Sequence, residues 1–229
     1  MNLNLPKKFA KSHTSKSFRL ALRQAEAEWK LWRRHRLALG KVSGFTKNLP
    51  LKLNLGCGPH PKPGWVNIDL FDPAADLHLD LREPWPFPDE SASHIYSEHV
   101  FEHFEFDREA PHFLSESLRI LRVGGYFDVG VPDTQWLLQA YGHSDDYYWS
   151  FCKTFHPQRY ETQLDHINYH FRQDGEHKYA WDEETLTRTL RAAGFASIVR
   201  RQFDAAIDDE SRRTGTLYLR AIKPPNGHA

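Results

Sequence analysis

The chain has 229 residues and no formal net charge at pH 7, and 40% of its residues are hydrophobic and 26% charged. This composition excludes wholesale disorder, and the length predicts one sizeable domain with appendages. No stretch approaches the roughly 18 consecutive apolar residues of a membrane-spanning helix. The two cysteines, Cys57 and Cys152, are too few for a disulfide framework and indicate a reducing compartment. We therefore expect a cytoplasmic protein.

The charges are unevenly distributed along the chain. Residues 1–48 carry a net charge of +10, whereas residues 49–229 carry −10. Such an asymmetry is typical of a basic arm attached to an acidic body. We predict a helical arm and linker over residues 1–48 and the main domain over residues 49–229.

Residues 15–39 of the arm lack Gly and Pro, which predicts a helix. Apolar side chains recur at three- and four-residue steps, with Arg36 interrupting the series, so they share one face: Phe18, Leu22, Ala25, Trp29, Trp32 and Leu39. Basic side chains occupy much of the rest of the surface: Arg19, Arg23, Lys30, Arg33 and Arg34. Two interpretations stay open. The stripe packs on its own domain or on a second subunit of a dimer, or it contacts an anionic membrane surface or a polyanionic partner, as a peripheral membrane protein would.

The body alternates strands and helices. The pattern predicts strands at residues 51–55, 65–69, 76–80, 92–97, 126–131, 196–202 and 216–222. It predicts helices at residues 108–121 and 181–193, the second opened by Asp182 and ended at Gly194. This order implies an α/β fold with a mostly parallel, seven-stranded sheet whose last strand is antiparallel.

The connection after the first strand is unusually short. Ten residues separate Gly58 from Asp69, and Pro59, Pro61 and Pro63 interrupt them. A regular crossover with its helix takes about a dozen residues or more. The first crossover helix is therefore predicted to be missing or reduced to a turn.

Five motifs occur in order along the body. They are Leu53-Asn-Leu-Gly-Cys-Gly58, Asp69 at a strand end, Asp80-Leu81, Ser97-Glu-His-Val-Phe-Glu-His103, and the segment from Glu116 to Gly125. Together they resemble the class I S-adenosylmethionine-dependent methyltransferases, in particular the type 11 group, over residues 51–223. The resemblance implies a Rossmann-like fold and S-adenosylmethionine as cofactor.

The motifs suggest how the cofactor would bind. Glycines leave no side chain between the turn and the methionine part of the cofactor, and the carboxylate of Asp69 has acceptor oxygens for both ribose hydroxyls. By resemblance, Asp80 and Leu81 frame the adenine, and residues 97–99 lie near the sulfonium and the acceptor. Asn54 stands where the family usually has an acid, so it brings no charge. The predicted cofactor-binding residues are Asn54, Gly56, Cys57, Gly58, Asp69, Asp80, Leu81, Ser97 and Glu98.

Residues 132–180 form a long insert rich in Tyr, Trp and His, which predicts a lid over the substrate. Transfer to an oxygen acceptor gains from a general base near pKa 7, and histidine suits this role. His99, His166 and His177 are the candidate catalytic residues.

The segment from His99 to His103 also matches His-x-x-Glu-His, the inverted zinc-peptidase pattern. On an α-helix the two histidines would share a face, as metal ligands must. The methyltransferase family that this sequence resembles carries a similar Glu-His pair at this place, and no distal acidic ligand is evident in the sequence. We predict no metal site from the sequence.

The sequence thus predicts a methyltransferase for O- or N-methylation of a small-molecule acceptor, such as a sugar, glycan or secondary metabolite. The alternative is a catalytically weak, methyltransferase-like binding domain whose arm engages a partner, an anionic membrane surface or RNA. Nucleic-acid methylation is disfavoured, because the body is acidic and lacks the Asn/Asp-Pro-Pro-aromatic motif that holds a base.

Overall fold

The computed structural model describes residues 14–47, 49–143 and 145–225. The strands in this part of the chain are β1 (Leu51–Leu55), β2 (Val66–Ile68), β3 (Ala92–Glu98), β4 (Leu121–Pro132), β5 (Ala196–Arg200) and β6 (Thr216–Ile222). The α-helices are α1 (Lys16–Leu39), α2 (Val42–Phe45), α3 (Glu109–Ile120), α4 (Thr134–His143), α5 (Asp146–Phe155), α6 (Gln163–Arg172) and α7 (Glu183–Ala192). Short 3₁₀ helices cover residues 101–103, 173–175 and 210–212.

The strands form one sheet in the order β2-β1-β3-β4-β6-β5. All are parallel except β6, which runs antiparallel to both of its neighbours. This confirms the predicted Rossmann-like α/β fold with an antiparallel last strand. Because β1 to β4 point the same way, their carboxyl ends meet at one edge, which is where such sheets bind ligands.

The sheet has six strands among the described residues, so the predicted third strand at residues 76–80 was wrong. This segment contributes only an isolated bridge between Ile68 and Leu77. The carboxylate of Asp76 accepts a hydrogen bond from the backbone N–H of Asn67 at 2.8 Å. Because a side chain takes this strand amide, a regular ladder does not extend along the segment.

No helix connects β1 to β2, as the spacing predicted. Two buried amide side chains hold the connecting loop instead. The Nδ2 of Asn54 donates to Oδ1 of Asn67 at 2.9 Å, and the same oxygen accepts the backbone N–H of Lys62 at 2.7 Å. These bonds fix the proline-rich loop directly beside the carboxyl end of β1.

The insert between β4 and α7 is helical. Its helices α4, α5 and α6 pack around a small core of their own, formed by Leu137, Ala140, Tyr148, Trp149 and Cys152. A β-bridge between Asp133 and Trp181 joins the two ends of the insert. The insert is therefore a compact unit at the carboxyl edge of the sheet.

The buried residues of helix α1, His35 and Ala38, lie at its carboxyl end, and Glu28 near its middle also pairs with Arg82 of the domain. Farther up the helix, Trp29 and Trp32 are 55% and 53% exposed. Of the apolar stripe only Leu39 packs against the core of its own domain, and the rest of the stripe is exposed, so packing on a second subunit and contact with a membrane or polyanion both stay open. In the described part of the chain, no helix is both long and apolar enough to cross a bilayer.

Candidate active site

The two glycines after β1 both have positive φ, +67° at Gly56 and +48° at Gly58. A Cβ on Gly56 would lie 2.1 Å from a methyl carbon of Val100, so this glycine packs directly against the segment that follows β3. A Cβ on Gly58 would meet no heavy atom within 4 Å. Gly58 therefore presents bare backbone to open space at the sheet edge.

The carboxylate of Asp69 lies beside this turn. Its Oδ2 accepts the backbone N–H of Gly58 at 3.0 Å, and its Oδ1 accepts those of Phe71 and Asp72 at 2.8 Å each. A carboxylate oxygen has two acceptor positions, so Oδ2 retains one. The expected grip on both ribose hydroxyls is thus limited to one hydroxyl in this geometry. An open backbone and a free acceptor position side by side fit a nucleoside cofactor.

Asn54 and Cys57 support the turn from within the protein. The amide nitrogen of Asn54 donates to Asn67 and to the carbonyl of His60, so this side chain braces the loop. Burial raises the pKa of the Cys57 thiol to about 12, and the neighbouring Asp69 adds to the effect, so the thiol stays neutral.

Lys62 supplies positive charge near the turn. Its Nζ lies 4.2 Å from the ring centroid of Tyr96, and no carboxylate oxygen of the described residues lies within 4.0 Å of it. His60 differs, because its Nδ1 is paired with Asp209 at 2.5 Å. Lys62 is therefore the better suited of these two side chains to meet the cofactor carboxylate.

Asp80 and Leu81 lie where α1 meets the domain. The Arg82 guanidinium bonds to both carboxylate oxygens of Asp80, and the Asp80 backbone N–H donates to Nδ1 of His35 at 3.2 Å. Leu81 is buried, and its carbonyl accepts the indole N–H of Trp85 at 3.1 Å. The Asp80 carboxylate is thus already engaged, while α1 closes over this end of the site.

Ser97 and Glu98 end β3. The Ser97 hydroxyl is fully buried and has no hydrogen-bond partner among the described residues. Glu98 accepts the Tyr218 hydroxyl at 2.7 Å, and its carbonyl accepts the Arg212 guanidinium at 2.7 Å. Glu98 therefore ties β3 to β6 and to the loop before it.

A cavity of about 460 Å³ opens beyond the end of β3. Its walls come from the end of β3, from α5 and α6, and from the loop at residues 211–216. His99 and His177 line it, and Nε2 of His99 lies 2.8 Å from the Thr216 hydroxyl. His166 does not line it, because its Nδ1 lies 2.8 Å from His156, behind the wall.

The imidazoles of the wall are held neutral. Burial lowers the pKa of His99 well below its usual value, and the nearby Arg212 lowers it further. Burial likewise lowers the pKa of His177, and it lowers that of His170 to about 3. His170 was not among the predicted site residues, although it lies in the histidine-rich run of the insert. These imidazoles are therefore unprotonated at neutral pH, and each is a weaker base than an exposed histidine.

Glu102 was not among the predicted site residues. It is 1% exposed, and neither carboxylate oxygen has a hydrogen-bond partner among the described residues. Burial raises the pKa of its carboxyl to about 8. Its Oε1 lies 3.7 Å from Nδ1 of His99 and 4.0 Å from Nε2 of His103.

The segment around Glu102 also departs from the zinc-peptidase geometry. His99 has a positive φ of 55°, and residues 101–103 form a single 3₁₀ turn. His99 and His103 therefore do not share a face of an α-helix, which that pattern requires.

Comparisons with known proteins identify one domain. Residues 68–129 match the family model described as "Methyltransferase domain". No curated protein matches the chain.

Many solved structures are similar at low identity. One is a S-adenosylmethionine-dependent methyltransferase from Archaeoglobus fulgidus, with 14% identity over 82% of this chain and 94% of that one and a TM-score of 0.48. Another is YcgJ from Bacillus subtilis, with 14% identity over 84% and 100% and a TM-score of 0.45. A third is phosphoethanolamine N-methyltransferase 2 from Haemonchus contortus, with 11% identity over 83% and 53% and a TM-score of 0.46. At these scores the likenesses support no conclusion about activity.

The family match covers the segment from the end of β2 into β4, which carries Asp69, Asp80 and the motif from Ser97 to His103. It confirms the resemblance found in the sequence, and with it S-adenosylmethionine as the cofactor. Residues 68–129 of this chain are thus similar to a methyltransferase domain, and they lie within the segment that resembles the class I S-adenosylmethionine-dependent methyltransferases in sequence.

Proposed function

We propose that the protein methylates a small-molecule acceptor of the sugar, glycan or secondary-metabolite class, on oxygen or nitrogen. The observation that carries this proposal is the cavity beyond β3. At about 460 Å³ it falls within the usual range of small-ligand sites, roughly 300–1,000 Å³. Its wall combines aromatic side chains such as Tyr169 and Phe151 with hydroxyls and imidazoles, which suits a polyhydroxylated or aromatic acceptor.

The cofactor supplies a methyl group on a sulfonium, with S-adenosylhomocysteine as the leaving group. What remains for the protein is to orient the acceptor and to exclude water. For an oxygen acceptor we propose His99 as the general base, with His177 as the second candidate. Both imidazoles are neutral and line the cavity, whereas His166 lies outside it.

Transfer of labelled methyl from S-adenosylmethionine to a panel of sugars, glycans and phenolic metabolites tests this proposal. We expect at least one acceptor to be methylated, and we expect His99→Ala to slow O-methylation by about a hundredfold, a usual general-base effect. The matched control is His143→Ala, on the exposed end of α4, which should keep the wild-type rate. Absence of transfer to every acceptor by a chain that binds the cofactor would favour the non-catalytic alternative.

The exposed face of α1 supports a second role. Phe18, Trp29 and Trp32 are each about half exposed, and arginines surround them. Tryptophan and basic side chains on one amphipathic helix suit the interface of an anionic bilayer. We propose that α1 binds an anionic membrane surface, which would bring the catalytic domain to acceptors there.

A further inference from the structure

The strongest unexplained feature outside the cofactor site is the unpartnered carboxylate of Glu102. A buried carboxylate without hydrogen bonds or a counter-charge is costly, and buried charges normally pair or coordinate metals. Three ligand atoms, one each from Glu102, His103 and His177, lie within 4.8 Å of one another. The carboxylate therefore faces two imidazoles rather than apolar side chains alone.

The fold holds these groups together although they are far apart in sequence. The backbone N–H groups of Lys178 and Tyr179 donate to the Glu102 carbonyl at 2.8 and 3.2 Å. This pairing docks the end of the insert directly on the 3₁₀ turn of residues 101–103. The backbone thus brings the two segments of the cluster together, with Glu102 buried and His103 and His177 half-buried.

The two histidines are oriented as metal ligands usually are. Nδ1 of His103 lies 3.2 Å from the Glu176 carbonyl, and Nδ1 of His177 lies 2.6 Å from the His170 carbonyl. A carbonyl only accepts, so each Nδ1 carries the proton and each Nε2 presents a lone pair. A ring N–H fixed on a backbone carbonyl is the usual outer contact of a metal-bound histidine.

The three ligand atoms would have to move only slightly to reach metal-binding distances. Some point lies within about 2.8 Å of all three ligand atoms, since no two are more than 4.8 Å apart. Metal bonds from imidazole nitrogen and carboxylate oxygen are about 2.0–2.2 Å long. Side-chain shifts of about 0.6 Å would therefore complete the site.

We propose that Glu102, His103 and His177 bind a divalent transition-metal ion, with an open coordination position that takes an oxygen of the acceptor. Two imidazoles and one carboxylate suit zinc, iron, cobalt or manganese and not calcium or magnesium. Three protein ligands leave a position free, as in catalytic metal sites. The part about the acceptor rests on the proposed function, because His177 also lines the cavity.

If His177 binds the metal, His99 is the remaining candidate for the general base. Its Nδ1 lies 3.7 Å from the Glu102 carboxylate, next to the cluster but outside it. A metal would thus orient the acceptor oxygen beside His99. It would also supply the positive charge that the buried Glu102 lacks.

Metal binding by the full chain tests the proposal independently of methyl transfer. The chelator-treated protein is dialysed against Zn²⁺, Co²⁺ or Mn²⁺, and bound metal is measured by atomic absorption. We expect one ion per chain for at least one metal, and a loss of affinity of about tenfold or more in Glu102→Gln and His103→Ala. His143→Ala is the matched control and should bind like the wild type.

Binding of S-adenosylhomocysteine by each variant shows that it is folded. Nitrogen NMR of the wild-type histidines gives a second measurement that needs no variant. Added Zn²⁺ should shift Nε2 of two imidazoles that keep their Nδ1 proton. The proposal is overturned if the wild type binds none of the three metals stoichiometrically, if the folded variants bind as well as it does, or if no imidazole shifts. A chain that binds metal but methylates no acceptor would refute the proposed function alone.

Discussion

Gly58 has a backbone conformation that packing within the protein does not require. Its positive φ is one that a residue with a Cβ adopts only at a cost of about 1–2 kcal/mol. Yet no atom stands where its Cβ would be, so internal packing does not demand a glycine here. The open side of the turn makes sense if the cofactor approaches the backbone there. Gly56 differs, because the Val100 side chain fills the space beside it.

Gly58→Ala should therefore weaken cofactor binding beyond its effect on stability. We expect a decrease of about 1–2 kcal/mol in the free energy of unfolding and at least about tenfold weaker S-adenosylhomocysteine binding. Gly124→Ala is a matched control, because Gly124 also has positive φ and open surroundings, but lies near the start of β4, at the opposite edge. Denaturation and calorimetry on both variants check this. Equal affinities in the two variants would show that nothing approaches the Gly58 backbone.

Single site residues could be predicted from the sequence where the order of strands and turns along the chain determines which residues meet. The two glycines and Asp69 were predicted because a strand, a turn and a second strand must bring them to one edge. Glu102 was missed, because its significance depends on His177, which only the folded insert brings near. Nor did the sequence indicate that the Arg82 guanidinium would bond to the carboxylate of Asp80.

Among the elements, α1 is the one whose exposed surface lacks an explanation within the domain. The Arg33 guanidinium lies 5.9 Å from the Trp29 ring, and that of Arg36 lies 6.0 Å from the Trp32 ring. Such pairs keep a basic group beside each exposed aromatic ring. An anionic lipid surface offers partners for the basic groups and for the aromatic rings at once.

We expect the full chain to sediment with phosphatidylserine-containing vesicles and not with neutral phosphatidylcholine vesicles. Replacing Trp29 and Trp32 together by Ala should reduce the bound fraction by about tenfold, because two interfacial rings are lost. Tyr147→Ala removes a still more exposed ring from the insert and is the control. Vesicle binding unaffected by the double variant, or a dimer formed through this face instead, would contradict the membrane role.

Helices and strands were predicted correctly where the length of a connection decided the outcome. The prediction failed where a side chain took a backbone hydrogen bond that a strand needs. Ten residues with three prolines have no room for a crossover helix, and none forms. The third strand was predicted from alternating residues, but the Asp76 carboxylate takes an amide of β2 that the ladder needs. Helix α1 was predicted correctly from the absence of Gly and Pro, but the periodicity of its apolar stripe does not say which partner covers that stripe.

In the whole molecule, one edge of the sheet gathers the features that bear on function. Gly58 and Asp69 stand at the ends of β1 and β2, and the cavity with its histidines opens beyond β3. Helix α1 meets this edge through His35 and Asp80. The residues predicted for the methionine part and for the adenine of the cofactor thus lie beside different parts of the chain.

The most direct test of the account is calorimetric titration of the full chain with S-adenosylhomocysteine. We predict one site per chain, and at least about tenfold weaker binding in Asp69→Ala, because a hydrogen bond to a charged group contributes about 1.5–3 kcal/mol. Asp107→Ala, an exposed acid, is the control and should bind like the wild type. A wild-type chain that binds no S-adenosylhomocysteine, or a folded Asp69→Ala variant with undiminished affinity, would contradict the assignment of this edge as the cofactor site.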